Sequence, residues 1–413
     1  MAQQSRIRSS LAVFALLGPI LGVGACAGSS RGAAAPQPVR VSSVDVEPMR
    51  VEVARGPGGT QVEVFDAREL FDRAGAALAA DRYGEALALY DRLVASFPDS
   101  ALVAPALFNA GLALEGSGKL DAAVGRYLEV NRRTGATRYG LDATIRAGAV
   151  TAELARWSDA LRLFDELLAR RDLTAADRIE LHARRGYVLV EGGRDVEAEV
   201  GLNAALELAQ RGARGQVVSL RYFVAMARYY LAEIPRRQAD AVRLDLPDDR
   251  LEGGLEVKAK LVLLAQRRFE DTIRQGDLYW ATAAGSQLGA MQQEMWRALS
   301  AAPVPRRLAP DAAAIYTAEV HALARGHLDK ALAAHVMNRK VADHHRAQTP
   351  WSDASGERIV ALTDLIAREA SRPSGAAVPP PGGVVGPRRS GAAPPPPPAP
   401  ARPGHRVPRR NHR

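Results

Sequence analysis

The chain has 413 residues, more than one ordinary domain, and 47% of them are hydrophobic but only 5% aromatic. Alanine and leucine, both strong helix formers, supply much of the apolar fraction, which points to an all-α protein. The formal net charge is +9, yet eight arginines between Arg372 and Arg413 follow the last acid, Glu369, so the rest of the chain is close to neutral. That distribution excludes a basic nucleic-acid-binding face on the folded body.

Residues 1–25 read as a secretory signal peptide. Arg6 and Arg8 precede an apolar run from Leu11 to about Val23, and small residues follow. The run is broken by Gly18, Pro19 and Gly22, and a membrane span needs about 20 apolar residues. Val23-Gly24-Ala25-Cys26 resembles the bacterial lipobox. The resemblance implies cleavage before Cys26, a diacylglycerol on its sulfur and anchoring to a membrane through acyl chains. Cys26 is the only cysteine, so an intrachain disulfide is impossible. Ala27, in place of the aspartate that marks inner-membrane retention, implies an outer-membrane lipoprotein facing the periplasm. Residues 26–65 form the tether. Val39, Val41, Val44, Val46, Val51, Val53, Val62 and Val64 alternate around breaks at Pro48 and Gly56-Pro57-Gly58-Gly59. We read an extended stalk there, with a short β-hairpin as the alternative.

Residues 66–212 carry an internal repeat. Ala86, Ala123, Ala160 and Ala198 recur at near-constant spacing. A small residue lies twelve positions before each (Ala74, Gly111, Gly148, Gly186) and a large apolar one four positions after (Tyr90, Tyr127, Phe164, Leu202). The pattern resembles the tetratricopeptide repeat, in which two helices cross closely at small side chains and an aromatic fills the adjoining groove. Asp66-x-x-Glu69 and Thr174-x-x-Asp177 mark helix starts. The resemblance implies a right-handed helix-turn-helix repeat solenoid whose first helices line a concave surface. It places Phe71, Leu78, Phe108, Leu112, Ile145, Tyr187 and Val190 in a partner-binding groove, mainly apolar and suited to an amphipathic helix or a hydrophobic strand. The resemblance further implies a scaffold that recruits envelope proteins. The lysines and asparagines of carboxylate-clamping relatives are missing.

Residues 213–371 lose the register but stay helical, as degenerate repeats and a capping helix. Arg221–Ile234, Val257–Ile273 and Leu278–Leu299 are helical runs. In the last, Trp280, Gly285 and Gly289 have the spacing of close-packed helices. Asp311 to about Arg346 reads as a helix pair turning near Gly326, and Ile359, Leu362 and Ile366 form the stripe of a last helix. From 372 to 413 the sequence is proline, glycine, alanine and arginine, a composition expected to be disordered. This basic tail supports an alternative function, a structural tether reaching the cell wall or a polyanion.

No nucleophile elbow, phosphate loop, dinucleotide fingerprint or paired-cysteine metal site occurs. His321, His327, His335, His344 and His345 fall in one region, but none shares the i, i+4 spacing that puts two ligands on one helical face; we read them as solvated surface residues. The expectation is a non-enzyme with no cofactor, no metal and no nucleic-acid partner.

Overall fold

The computed structural model describes residues 48–56, 59–212 and 217–371. Cys26, the signal segment 1–25, the tether before Pro48 and the tail 372–413 lie outside the described residues.

The described chain opens with an antiparallel hairpin, β1 (Arg50–Gly56) and β2 (Gly59–Phe65), in which Val51 pairs with Val64 and Val53 with Val62. This corrects the expected stalk: the alternation of 51–53 and 62–64 is that of paired strands, and the hairpin is anchored by contacts to the first helices.

Eight helices follow as four hairpins: α1 (Ala67–Ala79) with α2 (Tyr83–Ser96), α3 (Val103–Gly116) with α4 (Leu120–Thr134), α5 (Arg138–Glu153) with α6 (Trp157–Leu168), and α7 (Ala175–Glu191) with α8 (Asp195–Gly212). The predicted crossing is present in each. A methyl added to Gly111 would lie 2.5 Å from Tyr127 Cε1, and one on Gly148 would lie 2.6 Å from Phe164 Cε1. Leu202 fills the same place over Gly186. In the first hairpin Ala74 and Tyr90 are both fully buried. The helices therefore approach where the small residue makes room, and an aromatic or leucine from the second helix occupies that room.

Each hairpin also turns in the same way. Asp81, Gly118, Ala155 and Gly193 have φ between 56° and 75°. The following amide bonds back across the helix end, with Arg82 N to Ala77 O, Lys119 N to Leu114 O, Arg156 N to Thr151 O and Arg194 N to Leu189 O. This left-handed turn satisfies carbonyls that the helix end leaves open. Asp66 accepts from Glu69 N at 2.7 Å, and Thr174 with Asp177 forms a full capping box.

Longer helices follow: α9 (Val217–Ala241), α10 (Asp248–Arg274), α11 (Leu278–Ser300), α12 (Pro310–His344) and α13 (Pro350–Ala370). Pro235 sits inside α9 and removes the amide that would bond the Leu231 carbonyl. Arg268 Nη1 of α10 donates to that carbonyl at 2.7 Å instead. α12 is one helix of 35 residues, where the sequence suggested a pair. Gly326 lies within it, flanked by Ala324, Leu328 and Ala331, which are buried in one cluster with Met295, Trp296 and Leu299 of α11. Burial along a neighbouring helix outweighs the cost of about 1 kcal/mol for an interior glycine. The described fold is thus an all-α helix-turn-helix repeat solenoid continued by longer, irregular helices. Among the described residues, no helix is long and apolar enough to cross a membrane.

Candidate partner-binding groove

The first helices of the hairpins, α1, α3, α5 and α7, differ in what covers them. On α7, α9 lies along the face that carries Arg184, Tyr187 and Glu191. Tyr230 of α9 packs on Tyr187 with ring centroids 5.0 Å apart. The Arg184 guanidinium stands 5.2 Å over the Phe223 ring, and Arg237 donates to the Val190 carbonyl at 3.0 Å and pairs with Glu191. Tyr187 and Val190 are buried. Burial holds the Tyr187 hydroxyl above its usual pKa, with the Glu191 and Glu153 carboxylates adding to the effect. These two predicted groove residues are therefore closed off, because α9 brings Tyr222, Phe223, Tyr229 and Tyr230 to a large apolar contact.

At the repeat spacing, the residues equivalent to Arg184, Tyr187 and Val190 are Arg146, Ala149 and Ala152 on α5. On α3 they are Asn109, Leu112 and Glu115, and on α1 they are Asp72, Gly75 and Leu78. Among these, only Ala152 is buried; the others are half-buried or exposed. The described helices packed on α1, α3 and α5 are chiefly their neighbours in the repeat series. The face that α9 occupies on α7 is thus left accessible along the first three hairpins.

The seven predicted groove residues divide accordingly. Leu78 and Leu112 lie half-buried on the accessible face. Phe71 and Phe108 are buried in the hairpin crossings, edge-on to Tyr90 and Tyr127 at 5.7 and 5.2 Å, and Ile145 is also buried. Phe71 and Phe108 turn toward the second helix of their own hairpin, where the Tyr90 and Tyr127 rings meet them.

Sequence reasoning missed Asn109 and Arg146 beside the leucines. Asn109 Nδ2 donates to Tyr90 Oη at 3.1 Å. Arg146 grips Glu115 through Nε at 2.7 Å and Nη2 at 2.5 Å, and Tyr127 Oη donates to the same carboxylate. Burial raises the Tyr127 pKa, and the adjacent Glu115 adds to it. Desolvation also raises the Glu153 carboxyl, with Glu115 nearby contributing. The signal was available, since Asn109, Arg146 and Arg184 recur at the repeat spacing. The surface combines leucines with an amide and a fixed ion pair, chemistry that can bury an apolar stripe and direct hydrogen bonds at its edge.

The histidine region needs a correction too. His335 is 1% exposed, packed against Gly289 with Nδ1 3.1 Å from Ser355 Oγ. Desolvation, with Arg358 adding a smaller effect, pulls its pKa down to about 4. A spacing argument sees only its own helix and could not register that α11 and α13 enclose it. His344 and His345 are exposed. Among the described residues, no three or more histidine, cysteine or acidic side chains are grouped to hold a metal ion.

No family model and no curated protein matches the chain. Among solved structures it is similar to a tetratricopeptide repeat protein from Parabacteroides merdae ATCC 43184, at 15% identity and a TM-score of 0.35 over 73% of this chain and 98% of that one. It is similar also to a TPR repeats protein from Bacteroides fragilis NCTC 9343, at 10% identity and a TM-score of 0.26 over 73% of this chain and 98% of that one. A third is the MamA RS-1 ArsTM double mutant, at 16% identity and a TM-score of 0.33 over 52% of this chain and 98% of that one.

Proposed function

We propose that the chain is a lipid-anchored scaffold of the bacterial cell envelope that seats an amphipathic helix of a protein partner along α1, α3 and α5. The observation that carries this reading is the seat of α9 on α7: the chain's own helix covers a face whose equivalents on the first three hairpins stay accessible. A helix is therefore the shape this surface accepts, and Leu78, Leu112 and the Glu115–Arg146 pair would meet it. The lipobox-like Val23-Gly24-Ala25-Cys26 supports attachment to the membrane, and Ala27 supports the outer membrane facing the periplasm.

Photo-crosslinking residues placed at Leu78 and Leu112 in growing cells test the groove, with the same residue at Val196 of α8, 80% exposed, as the reference. We expect one envelope protein captured at both groove sites and not at Val196. Equal capture at all three sites, or none at the groove, would overturn the reading. A second reading rests on the tail, whose eight arginines stand without an acid. It makes the tail a salt-sensitive contact to a cell-wall polyanion, lost on truncation after Arg372.

A further inference from the structure

At the end of α7 the chain fills a polar site whose counterpart on α5 it leaves open. Arg237 of α9 donates through Nη1 to the Val190 carbonyl at 3.0 Å and through Nη2 to the Glu191 carboxylate. Both acceptors sit in the last turn of α7, where the helix end already carries negative partial charge. One repeat earlier the same pair exists as the Ala152 carbonyl and the Glu153 carboxylate. The two helix ends run alike. Ala155 and Gly193 hold φ 56° and 75°, and Ala152 O and Val190 O accept from Ala155 N and Gly193 N. Arg156 N and Arg194 N then bond back to Thr151 O and Leu189 O. Glu153, however, is exposed and makes no ion pair among the described residues. Its carboxyl lies above its ordinary pKa, from desolvation first and the Glu115 charge next. Arg146, which acts in the opposite sense, is engaged on Glu115. On the first two hairpins the equivalent residues are Ala79 and Gly116, which carry no charge.

We propose that Ala152 O and the Glu153 carboxylate form a receptor for an arginine of the partner helix, matched to Arg237 on Val190 and Glu191. The inference rests on the reading of α1, α3 and α5 as the seat of that helix, and names what the helix must carry. Length explains why the chain leaves this receptor unfilled. α9 has 25 residues and carries Arg237 seven positions beyond Tyr230, which packs on Tyr187. α7 has 17 residues and ends at Glu191, so it has no arginine beyond Tyr187 to reach back to α5. Arginine suits the pair because its planar fork presents several N–H donors at once, enough for a carboxylate and a carbonyl together. α9 also sets the spacing. A large apolar residue of the partner would lie over Ala149, the small equivalent of Tyr187, with the arginine seven positions after it. The chain's own tail has eight arginines, but they stand among prolines and glycines, a composition that does not build the helical face this spacing requires.

The test puts a photo-crosslinking residue at Ala149 of the full chain in growing cells, alone and combined with Glu153→Gln or Glu153→Arg. Glu207→Arg on α8, whose side chain is 62% exposed, controls for a change of charge elsewhere. We expect capture of the partner to fall about tenfold with Glu153→Arg and about threefold with Glu153→Gln, and to be unchanged with Glu207→Arg. Glu153 is exposed, so helicity by circular dichroism should be the same in every variant. Mass spectrometry of the captured peptide should place an arginine about one heptad after the linked residue, as Arg237 follows Tyr230. Capture at Ala149 that Glu153→Arg does not reduce overturns the receptor and leaves the helix seat standing. No capture at Ala149, Leu78 or Leu112 removes the seat itself, and the receptor with it. A captured peptide without an arginine at that spacing, or one from residues 372–413 of the chain itself, also overturns the proposal.

Discussion

Two regions of the molecule solve one packing problem with different chemistry. In the hairpins α1 to α8, a small residue on one helix admits an aromatic ring or a leucine from its partner, as Gly111 admits Tyr127 and Gly148 admits Phe164. In the C-terminal helices, Gly285 and Gly289 of α11 make the same kind of opening, but Asn338 and His335 of α12 fill it. Asn338 Nδ2 donates to Thr282 O and to Ser355 Oγ at 2.9 Å each, and Thr282 and Thr349 join hydroxyls at 2.9 Å. The apolar filling can be repeated down a chain because a ring needs only volume. The polar filling is harder to repeat, since each buried donor and acceptor calls for its own partner, and even here His335 Nε2 has none among the described residues.

The difference predicts unlike responses to perturbation. The largest effect should come from emptying an apolar crossing. Tyr127→Ala removes a fully buried ring together with its hydrogen bond to Glu115, and should cost about 3–5 kcal/mol in denaturant unfolding. A loss under 1 kcal/mol would mean that the crossing does not organise the hairpins.

The polar crossing should respond to pH where the apolar one does not. Because the folded His335 pKa is about 4, below the unfolded value of about 6.5, the unfolded chain takes up a proton first as pH falls. The stability supplied by the neutral ring is complete above about pH 7 and declines between about pH 6.5 and 4, by roughly 2 kcal/mol at pH 5. His335→Gln should flatten that decline, measured as the change in unfolding free energy between pH 7 and pH 5. An equal decline in both proteins would place the sensitivity elsewhere.

The smallest effect concerns the turns. Ala155 holds φ 56°, whereas its equivalents Gly118 and Gly193 are glycines. Ala155→Gly should therefore stabilise the protein by about 1 kcal/mol and Gly118→Ala should destabilise it by a similar amount. If Ala155→Gly destabilises instead, the four turns are not equivalent.

The sequence by itself determined the repeat. Small residue, alanine and aromatic recur at 74, 86 and 90, at 111, 123 and 127, and onward, because each hairpin obeys the same local rule and four copies in phase are hard to mistake. It also marked the close approach at Gly285 and Gly289 and the caps at Asp66 and Thr174. Tertiary structure alone decided what depends on distant partners. Whether Tyr187 lies open or closed is set by Tyr230, more than forty residues on, while Leu112 stays accessible although it occupies the equivalent place. The hairpin valines are exposed, and their outward set is decided by Arg92 and Arg73, which hold Glu52 and Glu63 on the opposite face and which no alternation within the strands could reveal. The burial of His335 is likewise decided by α11 and α13 closing over it. Periodicity within one helix reports which residues share a face, and only the neighbouring elements determine whether that face meets protein or water.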